Sequence, residues 1–113
     1  MLVLKINPKE MYQEEIENSL NSLQKEVDGY IEIVHLIDNY VIICNEEGMI
    51  RNLPFTLTIA FPKGNINLYG NLILCKVNKR GNFISLKQSE IDYLMNLYWF
   101  RFKRVLDVLE NVN

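Results

Sequence analysis

The stretch YIEIVHLIDNYVIICN, residues 30–45, is rich in β-branched and aromatic side chains, the residue types that favour strands. It predicts two strands, Tyr30–Ile37 and Tyr40–Asn45. Asp38 and Asn39 join them, and both residue types tolerate the positive φ that a two-residue hairpin turn requires. The segment therefore predicts an antiparallel hairpin, and we expect the other strands of the chain to join it in an antiparallel sheet.

Upstream of this hairpin, a short apolar strand, Leu2–Ile6, is followed by the sequence NPKE. Asn7 suits the N-cap of a helix, Pro8 suits the first helical position, and Glu10 can complete a capping box. The resulting helix is expected to end at Asp28-Gly29. Its core stripe is Tyr12, Ile16, Leu20, Leu23 and Val27, and its opposite, acidic face carries Glu10, Glu14 and Glu17.

Downstream of the hairpin, the sequence NEEG (45–48) suits a type I turn closed by a left-handed glycine, and Met49–Leu53 is expected to return as a third strand. Glu46 and Glu47 are adjacent in that turn, so their carboxylates do not converge on one substrate. The next segment, FTLTIAF (55–61), fits a strand or a short helical turn, and PKGN (62–65) fits a turn. Ile66–Val77 is predicted to be a strand that is interrupted at Gly70. The turn NKRGN (78–82) then leads into a last short strand, Phe83–Ile84.

Ser85 and Gln88 form a second capping box, which opens the longest predicted helix, running to about Leu109. Its core stripe is Ile91, Leu94, Met95, Tyr98, Phe102, Val105, Leu106 and Leu109. Apolar residues outside that stripe, joined by an arginine, have the composition of an interface with a second copy or a foreign partner: Tyr93, Leu97, Phe100, Arg104 and Val108. The alternative is that strands or the N-terminal segment wrap the helix on two sides.

The length of 113 residues favours one domain, and no repeat, low-complexity tract or linker divides it. The expected fold is a single α+β domain over residues 1–113. Its antiparallel sheet is a meander of about five to six strands, packed with an N-terminal helix and a long C-terminal helix.

Composition points to a soluble protein of the cytoplasm. Hydrophobic residues make up 49% of the chain and charged residues 23%, no apolar run approaches the ~20 residues of a membrane helix, and the first residues lack the pattern of a secretory signal. Cys44 and Cys75 each lie inside an apolar run, which favours buried, reduced thiols. Residues 1–60 are acidic in balance and residues 61–113 basic, so the folded chain either presents opposed charged surfaces to a partner or interleaves them.

No catalytic or metal-binding constellation is recognisable in the sequence. His35 is the only histidine and has no cysteine or carboxylate spacing that would complete a zinc site. No serine lies in a Gly-x-Ser-x-Gly elbow, and the five glycines do not cluster into a phosphate-binding loop. We therefore expect a protein that is not an enzyme and carries no metal or other cofactor.

Two segments invite a ligand-binding interpretation. Glu32 interrupts an apolar strand and shares a face with Tyr30, so it is either a buried carboxylate in a ligand pocket or the polar side of an amphipathic strand. The run YWFRFKR (98–104) interleaves aromatic and cationic side chains, as single-stranded nucleic-acid sites do. A pI near 5.4 lies far below that of nucleic-acid-binding domains, so nucleic acid is not an expected partner.

Four segments resemble a small domain-of-unknown-function family that is common in bacteriophages and conjugative elements: LQKEVDGYIEIVHL, VIICNEEGMIRNLP, LYGNLILCKV and GNFISLKQSEI. The shared pattern is a Gly-Tyr-Ile-Glu strand, a Glu-Glu-Gly turn leading to Leu-Pro, a Gly-containing apolar strand and a Phe-x-Ser-Leu helix start. The similarity covers roughly Leu20–Ile91, and after Pro54 this chain has FTLTIAF where the family has a polar stretch.

The resemblance implies a phage or mobile-element accessory protein that binds and inhibits a host protein, most sharply an anti-CRISPR-like inhibitor of a defence nuclease complex. Glu10, Glu14 and Glu17 could then mimic phosphates against a nucleic-acid-binding enzyme. Two alternatives remain. One is a binding or sponge protein for nucleotide signals, with a pocket at an oligomer interface around Tyr30 and Glu32. The other is a structural or regulatory homodimer that uses the second face of the long helix.

Overall fold

The computed structural model describes residues 1–96, in which eight strands and two short helices follow one another. In chain order they are β1 (Leu2–Ile6), β2 (Met11–Glu15), α1 (Leu20–Val27), β3 (Ile31–His35), β4 (Tyr40–Asn45), β5 (Phe55–Phe61), β6 (Gly64–Tyr69), β7 (Leu72–Val77), β8 (Phe83–Ile84) and α2 (Gln88–Leu94). The α+β class and the antiparallel sheet are as the sequence predicted.

Six strands form one antiparallel sheet in the order β2-β1-β7-β4-β3, with β8 paired to β7 beyond the end of its pairing with β1. The central strand is β7, and four of its residues, Leu72–Cys75, are buried. The two edges of the sheet are β2 and β3. The remaining strands, β5 and β6, form a separate hairpin and, within residues 1–96, pair only with each other.

The side chains of the central strands alternate between two apolar clusters, one on each face of the sheet. On one face, Leu23 and Val27 of α1 pack over Val41, Ile43 and their neighbours. The opposite face is covered by α2 and by the β5–β6 hairpin. Its buried side chains include those of Ile42, Cys44, Leu72, Leu74, Leu68, Ile91 and Leu94. Burial on both faces explains why β4 and β7 are continuous apolar runs.

The predicted N-terminal helix is wrong over its first half. Residues 11–15 form β2, paired with β1, and the helix begins only at Leu20. The Asn7 side chain accepts hydrogen bonds from the backbone N–H groups of Lys9 and Glu10, at 2.9 and 3.0 Å, and so closes a β-turn instead of capping a helix. The same side-chain bonds serve both structures, so the sequence NPKE alone does not distinguish them. The true N-cap is Ser19, which accepts from the N–H of Ser22.

The acidic helix face therefore does not exist. Glu10 lies in the β1–β2 turn, Glu14 lies on β2, and Glu17 follows that strand. All three side chains are exposed, but they do not share the face of one helix.

The predicted third strand, Met49–Leu53, is also wrong, and with it the meander order. This segment is a loop, and β7 rather than β5 lies next to β4. Gly48 does not take the left-handed conformation expected of it, which Asn52 adopts instead with φ 56°. A β-carbon on Gly48 would lie 3.1 Å from Cβ of Tyr69, so close packing restricts this position.

Several local predictions are confirmed. The chain turns after residue 61, and Gly70 separates β6 from β7. For FTLTIAF the sequence left a strand and a short helical turn open, and the segment is a strand. Asp38 takes the left-handed conformation in the turn between β3 and β4, and both cysteines are buried.

The second predicted helix begins two residues later than expected. Its N-cap is Lys87, and the Glu90 carboxylate accepts from the Lys87 N–H at 2.8 Å. Ser85 instead accepts from the backbone N–H of Leu2. The predicted continuation to Leu109 lies largely outside the described residues, as do four of the predicted interface residues: Leu97, Phe100, Arg104 and Val108. Neither helix of residues 1–96 has the length and apolarity needed to cross a membrane.

Candidate functional site

The end of α1 is tied to the sheet by the side chain of Asn45, the last residue of β4. Its amide nitrogen donates to the carbonyl oxygens of Val27 and Asp28, at 3.0 and 2.9 Å, and its oxygen accepts from the N–H of Glu47 at 2.7 Å. The last carbonyls of a helix have no partner within it, so Asn45 satisfies two groups that would otherwise need water. One buried amide thus joins a helix, a strand and the loop that follows.

Arg51 makes a second connection between the same helix end and that loop. Its guanidinium donates to the Asp28 carbonyl and lies 3.2 Å from the Asp28 carboxylate. A cation at the C-terminus of a helix is also favoured by the helix dipole. Gly29 packs closely against both side chains: a β-carbon on it would lie 2.6 Å from the Asn45 amide nitrogen and 2.9 Å from the Arg51 guanidinium.

Between these two connections, residues 46–53 form a compact turn. The N–H of Arg51 donates to the carbonyl of Glu47 at 2.8 Å, and that of Leu53 donates to Gly48 at 2.9 Å. The turn carries Met49 and Ile50 at its tip, 69% and 82% exposed. Nearby, at the start of β3, Tyr30 is 69% exposed, and its carbonyl accepts from Glu46 at 3.0 Å. We call Tyr30, Met49 and Ile50 the loop patch.

A groove of about 590 Å³ runs between the end of α1 and this turn. Tyr30, Lys25, Arg51 and Glu47 line it, together with the amides of Asn21, Gln24 and Asn45. Of the two predicted pocket residues, Tyr30 lines this groove and Glu32 does not. The Glu32 side chain is exposed, so it belongs to the polar side of an amphipathic strand and not to a buried ligand site.

A second polar cluster connects α2 to the sheet. The Glu90 carboxylate accepts from the hydroxyl of Tyr40 at 2.5 Å and pairs with the ammonium of Lys76 at 2.9 Å. Burial acts to raise the pKa of Glu90, but the hydrogen bonds from Lys76 and Tyr40 outweigh it and lower that pKa to about 2. The hydrogen bond to Glu90, with burial, raises the pKa of Tyr40 to about 12. Both groups keep their ordinary charge near neutral pH, so this cluster is built for cohesion between elements.

Beside this cluster lies a smaller cavity of about 370 Å³. Its walls are mostly apolar, and one of them is Tyr93, the only member of the predicted helix interface that falls within residues 1–96. The ring of Tyr93 is 65% exposed. Its exposure agrees with a place outside the core stripe.

The three predicted acidic partner-binding residues, Glu10, Glu14 and Glu17, lie on or next to β2, the edge strand at the other end of the sheet from β3. The Lys5 ammonium pairs with Glu14 at 3.0 Å and with Glu26 at 2.5 Å, and it lies 5.7 Å from the centre of the Tyr12 ring. Burial lowers the pKa of Lys5, but the hydrogen bonds that its ammonium donates to Glu26 and Glu14 raise that pKa by more, so the net shift is upward. Glu14 is therefore largely compensated, and Glu10 and Glu17 remain separate exposed charges.

Residues 1–96 contain no group of three or more His, Cys, Asp or Glu side chains placed to hold a metal ion. Burial raises the pKa of Cys44 to about 11 and that of Cys75 to about 12, so both thiols stay protonated and unreactive near neutral pH. His35 is exposed on β3.

Sequence reasoning missed the loop patch because Met49 and Ile50 were assigned to a strand. The signal that could have found them is two large apolar residues enclosed by Gly48, Arg51 and Asn52, which are loop-forming or charged residues.

Residues 1–99 match the family described as "Domain of unknown function (DUF3846)". No curated protein and no solved structure matches the chain.

Proposed function

The chain belongs to the DUF3846 family, a domain of unknown function, and we propose that it is a non-enzymatic accessory protein that acts by binding another protein through the loop patch. The observation that carries the proposal is the exposure of Met49 and Ile50 on a turn whose backbone is fixed at both ends, with the exposed Tyr30 next to it. Exposed apolar side chains rimmed by charge are typical of interaction surfaces.

The fixed backbone favours tight binding. Asn45 and Arg51 hold the turn against the helix end before any partner arrives, so little loop entropy has to be lost on association. Met49 adds an adaptable apolar surface, since an unbranched thioether side chain fits irregular partner shapes. The charged rim, Lys25, Glu46 and Glu47, would set orientation and discriminate between partners.

The finer proposal concerns biological context. It is supported by the sequence resemblance to proteins of bacteriophages and conjugative elements, and it makes this protein a counter-defence inhibitor that blocks a host protein in the host cytoplasm. An anti-CRISPR-like inhibitor of a defence nuclease complex is the most specific form. In that case, Glu10, Glu14 and Glu17 would contribute charge contacts from the β2 side of the protein, separate from the loop patch.

The test compares the wild type with a Met49→Asp/Ile50→Asp variant in two assays. The first is capture of partners from a host lysate, followed by binding of the purified partner. The second is interference against a targeted plasmid in cells with an active CRISPR nuclease. We expect the wild type to bind its partner and relieve interference, and we expect the double variant to lose at least about tenfold in affinity, the equivalent of about 1.4 kcal/mol.

Ile37→Asp is the matched control, because Ile37 is 72% exposed but lies in the turn at the other end of the β3–β4 hairpin. Equal loss in both variants would remove the loop patch as the binding surface. Unchanged interference with the wild type would reject the anti-CRISPR-like form while leaving protein binding open to other defence systems.

A second candidate function is favoured by the groove. Tyr30 could stack on a base while Lys25 and Arg51 contact phosphate, which is the chemistry of a nucleotide-signal binding or sponge protein. A ligand that binds only the native state raises the unfolding midpoint. A nucleotide panel that gives no rise in the wild-type midpoint would reject this function.

A further inference from the structure

The outer edge of β3 carries a row of backbone groups that face away from the sheet. Two hydrogen bonds, Glu46 N–H to Tyr30 and Leu36 N–H to Tyr40, fix the phase of the β3–β4 ladder. Because hydrogen-bonded pairs alternate in an antiparallel ladder, the backbone N–H and C=O groups of Glu32 and Val34 point toward β4. The N–H and C=O groups of Ile31, Ile33 and His35 therefore point outward, and no strand within residues 1–96 pairs with them.

The two edges of the sheet differ in chemistry. The β2 edge carries Gln13, Glu14 and Glu15, all exposed, and charge of this kind discourages pairing with another strand. The β3 edge has neither lysine nor proline, and Ile33 on it is 39% exposed. An edge strand with exposed β-branched residues is a template for strand addition.

The side chains along β3 indicate what would pair with it. Ile31 and Ile33 lie on the α1 face of the sheet, while Glu32 lies on the other face. The ion pairs of residues 1–96 do not involve Glu32. Since opposite charges and apolar pairs are favourable across strands, the matching segment has aliphatic residues opposite the isoleucines and a basic residue opposite Glu32.

A second copy of the chain fits this edge less well. Antiparallel pairing of β3 with itself about Ile33 places the two Glu32 side chains on the same face, two residues apart along the strand direction. Asp38 and Glu46 add acidic charge at the two ends of the hairpin. Charge complementarity therefore selects a basic foreign segment.

We propose that β3 is a strand-addition site for an extended segment of a partner protein in which aliphatic and basic residues alternate. The inference rests on the proposed protein-binding function and gives the partner its chemistry. Tyr30 belongs to the loop patch and immediately precedes β3, so the two surfaces are continuous.

The probe is a capped synthetic peptide of alternating valine and lysine, followed by NMR of the isotope-labelled protein. In the proposed register, valine lies opposite Ile33 and its N–H points toward β3, whereas the lysine N–H points away. We expect the amides of Ile31, Ile33 and His35 to exchange rapidly in the free protein and to become protected with the peptide. N-methylation of the valines should weaken binding at least about tenfold, and N-methylation of the lysines should have little effect.

Three protein variants test the same geometry. Ile33→Pro removes an outward N–H while sparing the ladder to β4, as proline is tolerated on the free side of an edge strand. It should abolish peptide binding, whereas Ile33→Thr should retain it. Glu32→Lys should shift preference to a peptide of alternating valine and glutamate. If Ile33→Pro does not fold, the difference in affinity between the two N-methylated peptides is the test of strand pairing.

Equal binding of both N-methylated peptides would overturn the proposal, because it would show attraction by charge without strand pairing. Slow exchange of the three amides in the free protein would also overturn it, since the edge would already be covered. If the wild type is a dimer in solution and Ile33→Pro makes it a monomer, the β3 edge pairs with a second copy of the chain instead. Partner capture that depends on Met49 and Ile50 but not on Ile33→Pro or the peptides would reject strand addition and leave the proposed function standing.

Discussion

Asn45 serves three neighbours with one amide, and all three are backbone groups: the carbonyls of Val27 and Asp28 and the N–H of Glu47. Asn45→Ala would leave these groups without their partner, and the bond to the Val27 carbonyl is buried. Since a buried polar group without a hydrogen bond costs about 1–3 kcal/mol, we expect the free energy of unfolding to fall by about 2–3 kcal/mol.

Urea denaturation measures this loss, and Asn39→Ala is the control. Asn39 also donates from its amide to a backbone carbonyl, that of Val77 at 3.2 Å, but it is exposed and water can replace it. Its loss should cost less than about 1 kcal/mol. Equal destabilisation by the two variants would contradict the role given to Asn45.

Glu90 makes the free energy of unfolding depend on pH in the acid range. Its pKa is lowered to about 2 in the folded state, so its contribution to stability is fully present above the ordinary carboxyl value and is lost as pH falls from about 4.5 toward 2. Glu90→Gln removes this contribution. The difference in unfolding free energy between wild type and variant, about 1 kcal/mol after allowance for solvent screening, should therefore shrink over that pH range. A constant difference from about pH 7 to pH 2 would show that the carboxylate charge is not what connects Glu90 to Lys76.

Helix α1 offers a direct test of where the first helix begins. Leu20 and Leu23 were both assigned to the core stripe of a longer helix, but Leu23 is buried and Leu20 is 58% exposed. Leu23→Ala should lower the free energy of unfolding by about 2–4 kcal/mol, and Leu20→Ala by less than about 0.5 kcal/mol. Comparable losses measured by chemical denaturation would return Leu20 to the core and support the longer helix.

The strands were largely predictable because residue types that favour strands fill β4, β5 and β7. The start of the helix was not, because Asn7 makes the same side-chain bonds in a turn as at an N-cap. Strand order was also beyond the sequence pattern: β4 pairs with β7 across the β5–β6 hairpin, and nothing local encodes that pairing. Tyr30 lines the groove beside α1, whereas its predicted pocket neighbour Glu32 does not. Met49 and Ile50 were missed because their segment was assigned to a strand.

The layered arrangement of the protein predicts a gradient of local stability. β7 lies at the centre of the sheet with apolar cover on both faces, while most of β6 is exposed and pairs with β5 alone. Backbone amides in such a centre open only with global unfolding, and those in an outlying hairpin open locally. In hydrogen–deuterium exchange we expect the Leu72–Val77 amides to be the slowest and the Gly64–Asn67 amides to be among the fastest. The reverse order would mean that the hairpin, not the six-stranded sheet, is the stable unit.

The anchoring of the turn formed by residues 46–53 has a consequence for how this protein could diversify. Asn45 and Arg51 hold the turn largely through backbone carbonyls of α1, so the anchors do not depend on the identity of the residues between them. Positions 46, 47, 49 and 50 can therefore be exchanged without refolding the domain, whereas Gly48 is restricted by Tyr69. A randomised library at those four positions would keep one scaffold while presenting many different surfaces.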